Sequence, residues 1–164
     1  MKKFICSGIL LVMVLVLNAQ DKSVNQKIKK VTAKEVRAMM DSSTGPMIVN
    51  FWASWCGPCV RELPYFDSII AAKNADVKLL LVSLDFPESY PQKLQAFVNK
   101  KGYKGQVVFL GETNADVFIP IIEKKWTGAI PASIFIDNSK KKYEVFNMQM
   151  TEKRFEMELV KLME

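Results

Sequence analysis

Two cysteines separated by two residues, Cys56 and Cys59, are the side chains of this 164-residue chain best suited to chemistry. They lie in the sequence Trp-Cys-Gly-Pro-Cys at 55–59, directly after the apolar run 47–52. The apolar run predicts a buried strand and the residues after the motif predict a helix, so the pair lies at a strand-to-helix junction. A helix N-terminus stabilises a thiolate, and we therefore expect these thiols to exchange with disulfides.

Each residue from Cys56 to Cys59 has a predicted role. Cys56 lies at the start of the helix, where unpaired N–H groups favour a negative sulfur, and is the predicted nucleophile. Cys59, one turn further on, should be less exposed and should attack the mixed disulfide to release the reduced substrate. Gly57 and Pro58 allow the tight turn and the helical φ of the first turn. A purely structural disulfide is disfavoured because closing so short a loop stabilises a fold little.

The chain contains no histidine, which excludes several other kinds of site. Ser-His-Asp catalysis, Cys-His catalysis and His-ligated metal sites all require one. The third cysteine, Cys6, lies in the N-terminal apolar run, and the two remaining thiols are too few for a four-thiolate zinc site. We therefore predict neither a metal nor another cofactor.

The N-terminus has the pattern of a secretory signal. Lys2 and Lys3 precede an apolar run over 4–17 and the small residue Ala19. This run is shorter than the ~20 residues that span a bilayer as a helix. We predict a signal peptide over residues 1–19, which is either cleaved after Ala19 or retained as a membrane anchor. Outside the cytosol, an exposed Cys-x-x-Cys pair either carries out redox reactions or forms a structural disulfide.

The net charge predicts no nucleic-acid partner. It is +6, and loss of Lys2 and Lys3 with the signal would lower it to +4. The remaining lysines are spread along the chain, as on a solvated surface, rather than clustered in a nucleic-acid-binding patch.

The remaining hydrophobic patterns predict strands that alternate with helices. The predicted strands are 47–53, 77–84, 106–110, 133–137 and 142–147, and the predicted helices are 33–40, 56–72, 91–100, 114–125 and a last one capped by Thr151. Thr32 and Glu35 have the spacing of a capping box. The polar, lysine-rich stretch 20–30 predicts a flexible lead-in to one domain over 31–164. This order favours an α/β fold with helices on both faces of a sheet.

Two motifs resemble the thioredoxin superfamily: residues 51–59 resemble its active-site segment, and Gly-Ala-Ile-Pro-Ala at 128–132 resembles its cis-proline loop. Asn50, Arg-Glu-Leu-Pro at 61–64 and the extra segment 86–125 are similar to the exported TlpA/ResA branch. The resemblance implies a thioredoxin-like three-layer sandwich whose mixed sheet has four or five strands. It also implies a reductase of disulfides in exported proteins, including apocytochromes awaiting haem, in the bacterial cell envelope or periplasm. Electrons would come from a membrane thiol donor, and we expect a monomer.

The resemblance also places substrate contacts around the cysteine pair. Pro131 is expected to be cis and to lie against the disulfide, so that Ile130 can pair with an extended substrate strand. Gly57 and Pro58 belong to the same predicted substrate-binding surface. Trp55 either forms part of its apolar rim or serves plain packing.

Glu62 lies three residues after Cys59 and matches a glutamate of the TlpA/ResA branch. It is predicted to be either a carboxylate that accepts the Cys59 proton or an exposed group on the helix surface. Asn50 stands where thioredoxin has a buried aspartate and cannot titrate, which favours Glu62 or water as the acceptor. The glycine that the family places near the start of the last helix is missing, and Met148 or Met150 is expected to narrow the groove or form its floor.

Other functions are compatible with parts of the sequence. The nearest is a thiol oxidant or isomerase. Gly-Pro between the cysteines, however, resembles reducing members such as thioredoxin, whose reduction potential is about −270 mV. A metal-carrying thioredoxin-like protein would need a third ligand, usually histidine. A non-catalytic binding module is disfavoured by the intact cysteine pair, and a peroxidase by the local motif.

Overall fold

The computed structural model describes residues 26–164, which form one six-stranded sheet and five α-helices. The strands are β1 (Lys29–Val31), β2 (Met47–Trp52), β3 (Lys78–Ser83), β4 (Gln106–Leu110), β5 (Ala132–Asp137) and β6 (Lys142–Phe146). The helices are α1 (Ala33–Asp41), α2 (Gly57–Ala72), α3 (Gln92–Lys101), α4 (Ala115–Ile122) and α5 (Glu152–Met163), and a 3-10 turn covers Pro87–Ser89. Every strand and helix predicted from the sequence is present, with similar bounds. The predicted signal peptide, 1–19, lies outside the described residues.

The sheet is mixed, with the strand order β1-β4-β3-β2-β5-β6. The first four of these strands run parallel, β5 runs antiparallel to β2, and β6 runs antiparallel to β5. All residues of β2 and β5 are buried, as expected for strands covered on both faces. Phe51 of β2 lies opposite Ala132 of β5, which places the segment before β5 beside the residues that follow β2.

Helices cover both faces of the sheet. On one face, α2, α3 and α5 enclose an apolar cluster in which Phe66 and Phe155 stack with ring centroids 3.8 Å apart. On the other face, α1 and α4 contribute buried side chains that include Val36 and Ile122. The predicted three-layer α/β sandwich is confirmed.

The first strand corrects the prediction in two respects. Residues 26–30, the described part of the predicted flexible lead-in, belong to the fold: β1 pairs with β4, and Ile28 is buried in the core. The sheet therefore has six strands rather than four or five. Three strand residues that include two exposed lysines show little alternation, so the local pattern did not reveal a strand that is stabilised by distant pairing.

Two helices begin where the sequence predicts caps. The Thr32 hydroxyl accepts a hydrogen bond from the Glu35 N–H at 3.2 Å, and the Glu35 carboxylate accepts one from the Thr32 N–H at 2.7 Å. The Thr151 hydroxyl accepts a hydrogen bond from the Arg154 N–H at the start of α5. Within residues 26–164, no helix combines the length and the apolar character that a membrane span requires.

Candidate active site

Cys56 and Cys59 lie at the junction of β2 and α2 and are joined by a disulfide, with their Cα atoms 5.3 Å apart. Cys56 is the N-cap residue of α2, and its sulfur accepts a hydrogen bond from the Cys59 N–H at 3.3 Å. Cys56 is 6% exposed and Cys59 is fully buried. As the sequence predicts, Cys56 is therefore the more accessible cysteine, at the positive end of a helix.

The surface around Cys56 is exposed. Trp55, Gly57 and Pro58 beside it are all accessible to solvent. A cavity of about 530 Å³ lies between β6 and α5, and neither cysteine lines it. An exposed surface of this kind suits reaction with a disulfide carried by another macromolecule.

The loop before β5 contacts Cys56. The Ile130–Pro131 peptide bond is cis, as predicted, and the Ile130 carbonyl oxygen lies 4.0 Å from the Cys56 sulfur. The Trp126 indole N–H donates to the Ala129 carbonyl at 2.9 Å, and its buried ring stacks on an aromatic ring of β2. The sequence had not identified Trp126 as the residue that holds this loop against the sheet.

Glu62 is a fully buried carboxylate one turn after Cys59 on α2. Its Oε1 accepts a hydrogen bond from Asn50 Nδ2 at 2.8 Å, and its Oε2 accepts one from the Met150 N–H at 3.0 Å. Burial raises the pKa of Glu62 to about 7, while the two hydrogen bonds act in the opposite direction. The buried position excludes the alternative prediction of an exposed carboxylate on the helix surface.

Asn50 links Glu62 to the neighbouring strand. It is fully buried in β2, and its Nδ2 also donates to Ser133 Oγ of β5 at 3.0 Å. Asparagine orients the Glu62 carboxyl by hydrogen bonding without adding a second charge, so Glu62 is the group in this contact that can titrate. Ser133 was not predicted, because its proximity depends on the pairing of β2 with β5.

The two methionines before α5 occupy different positions. Met150 is 2% exposed and belongs to the same apolar cluster as both cysteines. The Tyr65 hydroxyl donates a hydrogen bond to the Met150 carbonyl, which attaches this segment to α2. Met148 is 66% exposed. Of the two residues considered, Met150 is the one that adds to the apolar floor of the site.

Asp85, a buried carboxylate that the sequence analysis did not identify, holds the loop in front of Cys56. It lies two residues after the end of β3 and is 5% exposed. It accepts hydrogen bonds from the Ser54 N–H at 3.0 Å, from the Ser54 hydroxyl, and from the Ser83 hydroxyl at 2.8 Å. An aspartate after a buried strand was the available signal, but the neighbouring positions of β2 and β3 decide which loop it contacts.

Trp55 lies on the exposed surface beside Cys56. More than half of its side chain is accessible, and its ring stacks on Phe86, the residue after Asp85. Of the two predicted options, an apolar rim and plain packing, this exposure favours the rim.

Acidic side chains near the site do not gather into a metal centre. Glu62 and Asp85 are each engaged by hydrogen-bond donors. Among residues 26–164, no group of three or more cysteine, histidine or acidic side chains is arranged to hold a metal ion.

Comparison with known sequences links most of the chain to one family. A profile of the AhpC/TSA family matches residues 17–149. The thiol-disulfide oxidoreductase ResA of Bacillus thuringiensis (strain Al Hakam) is 29% identical over 116 residues, which cover 71% of this chain and 62% of that relative. The sporulation thiol-disulfide oxidoreductase A of Bacillus subtilis (strain 168) is 44% identical over 52 residues, which cover 31% of this chain and 32% of that protein. The chain thus spans less than two thirds of the length of these relatives.

Solved structures show the same thioredoxin-like architecture. The crystal structure of StoA from Bacillus subtilis matches with a TM-score of 0.53 and 25% identity, over 73% of this chain and 84% of that chain. A secreted Mycobacterium tuberculosis disulfide oxidoreductase homologous to E. coli DsbE matches with a TM-score of 0.57 and 20% identity, over 76% of this chain and 86% of that chain. At that identity, the second match shows a common fold.

Proposed function

The chain belongs to the AhpC/TSA family and resembles ResA, and from this premise we propose that it is a thiol-disulfide oxidoreductase that reduces disulfides of exported proteins. The observation that carries the proposal is the Cys56–Cys59 disulfide at the N-terminus of α2, in which Cys56 is the more accessible residue. The disulfide closes a very short loop, so it contributes little stability and its use is chemical.

In the proposed cycle, two electrons pass from the reduced cysteine pair to a substrate disulfide. The Cys56 thiolate attacks one substrate sulfur, forms a mixed disulfide with it, and displaces the other substrate sulfur as a thiolate that takes up a proton. The Cys59 thiolate then attacks the Cys56 sulfur, which forms the Cys56–Cys59 bond and displaces the second substrate thiolate. The disulfide in the structure corresponds to the end of this cycle.

Glu62 is the proposed acceptor of the Cys59 proton in the second step. The two residues are three positions apart on one helix, so their side chains share a face, and both are fully buried. A carboxyl whose pKa is about 7 is close to half ionised at neutral pH, so it can take up a proton and release it again. Asn50 and the Met150 N–H orient its two oxygens.

We assign the reducing direction to this cycle because Gly-Pro separates the two cysteines, as in thioredoxin. The competing function, a thiol oxidant or isomerase, differs in its equilibrium with glutathione. A reduction potential of the Cys56–Cys59 pair near the thioredoxin value of about −270 mV would support the reductase. A value of about −120 to −180 mV would support the competing function.

The proposed location is the bacterial cell envelope or periplasm, reached through the N-terminal signal or anchor. The basic and apolar pattern of residues 1–19 supports export, and one structural relative is a secreted disulfide oxidoreductase. An exported reductase must regain two electrons after each cycle, and we assign that role to a membrane thiol donor. We also propose that the protein acts as a monomer.

The test is turnover by cysteine variants of the full chain. Cys56→Ser should abolish reduction of insulin disulfides, because it removes the nucleophile, whereas Cys6→Ser leaves the pair intact and should react like the wild type. Activity in Cys56→Ser would overturn the assignment. In cells, Cys59→Ser should hold substrates as mixed disulfides, and mass spectrometry should identify exported proteins among them; capture of cytosolic proteins alone would contradict the proposed substrates.

A further inference from the structure

Trp55 and Phe86 form an exposed aromatic pair beside the disulfide. Their ring centroids are 5.6 Å apart with an interplanar angle of 21°, and their side chains are 55% and 61% exposed. The other exposed large apolar side chains of residues 26–164 are not aromatic: Val117, Met148, Met157 and Val160. Of the exposed large apolar side chains in the described residues, the two aromatic ones therefore lie together, and Trp55 is next to Cys56 in the sequence.

A hydrogen-bonded framework holds the two rings together. Trp55 directly follows Ser54, Phe86 directly follows Asp85, and Asp85 accepts hydrogen bonds from both the N–H and the hydroxyl of Ser54. The loops after β2 and β3 are thus joined at the residues that precede the two rings. A pair positioned in this way is available to a partner without a large loss of loop entropy.

The proposed reaction brings a substrate chain to this pair. In the mixed disulfide the substrate cysteine is bonded to Cys56, the residue next to Trp55. An extended chain advances about 3.3–3.6 Å per residue, and the two ring centroids are 5.6 Å apart. The substrate side chains one or two residues from the reactive cysteine are therefore the ones best placed to contact the rings.

We propose that the Trp55–Phe86 pair binds an apolar side chain next to the substrate's reactive cysteine, and that Phe86 is a specificity-determining residue. This inference rests on the proposed function and defines its substrates as disulfides in extended, apolar segments. Contact with an aliphatic or aromatic side chain removes the ring faces from water. A cationic side chain would also suit an aromatic face, but the positive net charge, +6 for the full chain and +4 without Lys2 and Lys3, opposes a cationic segment.

The test compares disulfide-bonded peptides that differ in one residue next to the cysteine, which is leucine, serine or lysine. The wild type should reduce the leucine peptide with a kcat/KM about 5- to 10-fold above that of the serine peptide, as one aromatic contact implies. Phe86→Ala should remove most of this preference, and Phe86→Leu should retain it in part. Met157→Ala, which shortens an exposed apolar side chain of α5, is the matched control and should behave like the wild type.

A small-molecule disulfide separates this inference from the proposed function. Phe86→Ala should reduce bis(2-hydroxyethyl) disulfide as fast as the wild type, because that substrate has no side chain to reach the rings. If the leucine preference is absent in the wild type or persists in Phe86→Ala, or if the lysine peptide is preferred, the inference is wrong while the reductase assignment stands. If the wild type reduces neither the small disulfide nor the peptides, the proposed function itself fails.

Discussion

Glu62 links the stability of the fold to pH because its carboxyl group is buried. Its pKa is about 7 in the folded protein, against 4.5 for an ordinary glutamate. The folded state therefore keeps a proton in the pH range in which the unfolded state has already released it. The resulting contribution to stability is complete below about pH 4.5 and is lost as the pH rises towards 7.

Glu62→Gln is expected to weaken this pH dependence, because glutamine keeps the size of the side chain and does not ionise. In the wild type, the contribution of Glu62 to the free energy of unfolding falls by at most about 3 kcal/mol between pH 4.5 and 7, at about 1.4 kcal/mol per pKa unit. Urea unfolding of the oxidised protein at several pH values measures it. Glu144→Gln, at an exposed position of β6, should follow the wild type. Parallel stability curves for the wild type and Glu62→Gln would contradict the prediction.

The same variant reports on the proposed proton transfer. Loss of a general base slows the assisted step by on the order of 10²-fold. Rapid-mixing experiments on Glu62→Gln should therefore show slower resolution of the mixed disulfide and an unchanged first attack by Cys56. Equal slowing of both steps would indicate altered packing instead of a lost proton acceptor.

At the level of secondary-structure elements, the two edges of the sheet are protected by charged side chains. Lys29 and Lys30 are exposed on β1, and Glu144 is exposed on β6. Short, charged edge strands discourage pairing with other chains. The β1 edge also depends on Gln26, whose side chain donates to the Gly105 carbonyl and accepts from the Val107 N–H, each at 2.8 Å.

Gln26→Ala is expected to destabilise the protein by about 1–3 kcal/mol, because it leaves two buried backbone groups near the start of β4 unpaired. Gln106→Ala is the matched control, since Gln106 lies on β4 with an exposed side chain, and it should change stability by less than about 0.5 kcal/mol. The free energy of unfolding in urea distinguishes the two variants. Equal effects would show that the Gln26 hydrogen bonds are dispensable.

At the level of the whole molecule, four separate stretches of chain meet at the carboxyl end of β2. β2 and β3 are parallel, so the loops that carry Cys56 and Asp85 leave the sheet at the same end. β5 is antiparallel to β2, so Pro131, which precedes β5, enters the sheet at that end. The segment before α5 reaches it through the Met150 N–H, which donates to Glu62. The disulfide thus lies where these stretches converge, with the Ile130 carbonyl oxygen 4.0 Å from the Cys56 sulfur.

The location of the whole molecule is tested through its N-terminus. Residues 1–25 fused to a reporter enzyme that is active only outside the cytosol should produce reporter activity, because Lys2 and Lys3 precede an apolar run. Replacing both lysines with glutamate should reduce export. Intact-mass measurement of the full chain should show an N-terminus at Gln20 if the signal is cleaved, or the complete chain if it is retained as an anchor. A silent reporter would contradict export.

The sequence by itself determined the cysteine pair, its place at a strand-to-helix junction and the helix caps, while the cis-proline loop came from the resemblance to the thioredoxin superfamily. These features depend on neighbouring residues: apolar periodicity, cap spacing and short motifs express local energetics. The same residues were sufficient for the fold class, because alternating strands and helices have few ways to bury their apolar faces.

The tertiary structure alone decided which distant groups surround the disulfide. The sequence left open whether Glu62 is exposed or buried. The packing of α2 on the sheet buries it, and burial raises its pKa. The contact between Asp85 and Ser54, the stacking of Phe86 on Trp55 and the strand β1 all depend on which elements become neighbours in the sheet. Pairing between distant segments lowers the free energy only in the assembled fold, so these contacts cannot be predicted from a local stretch of sequence.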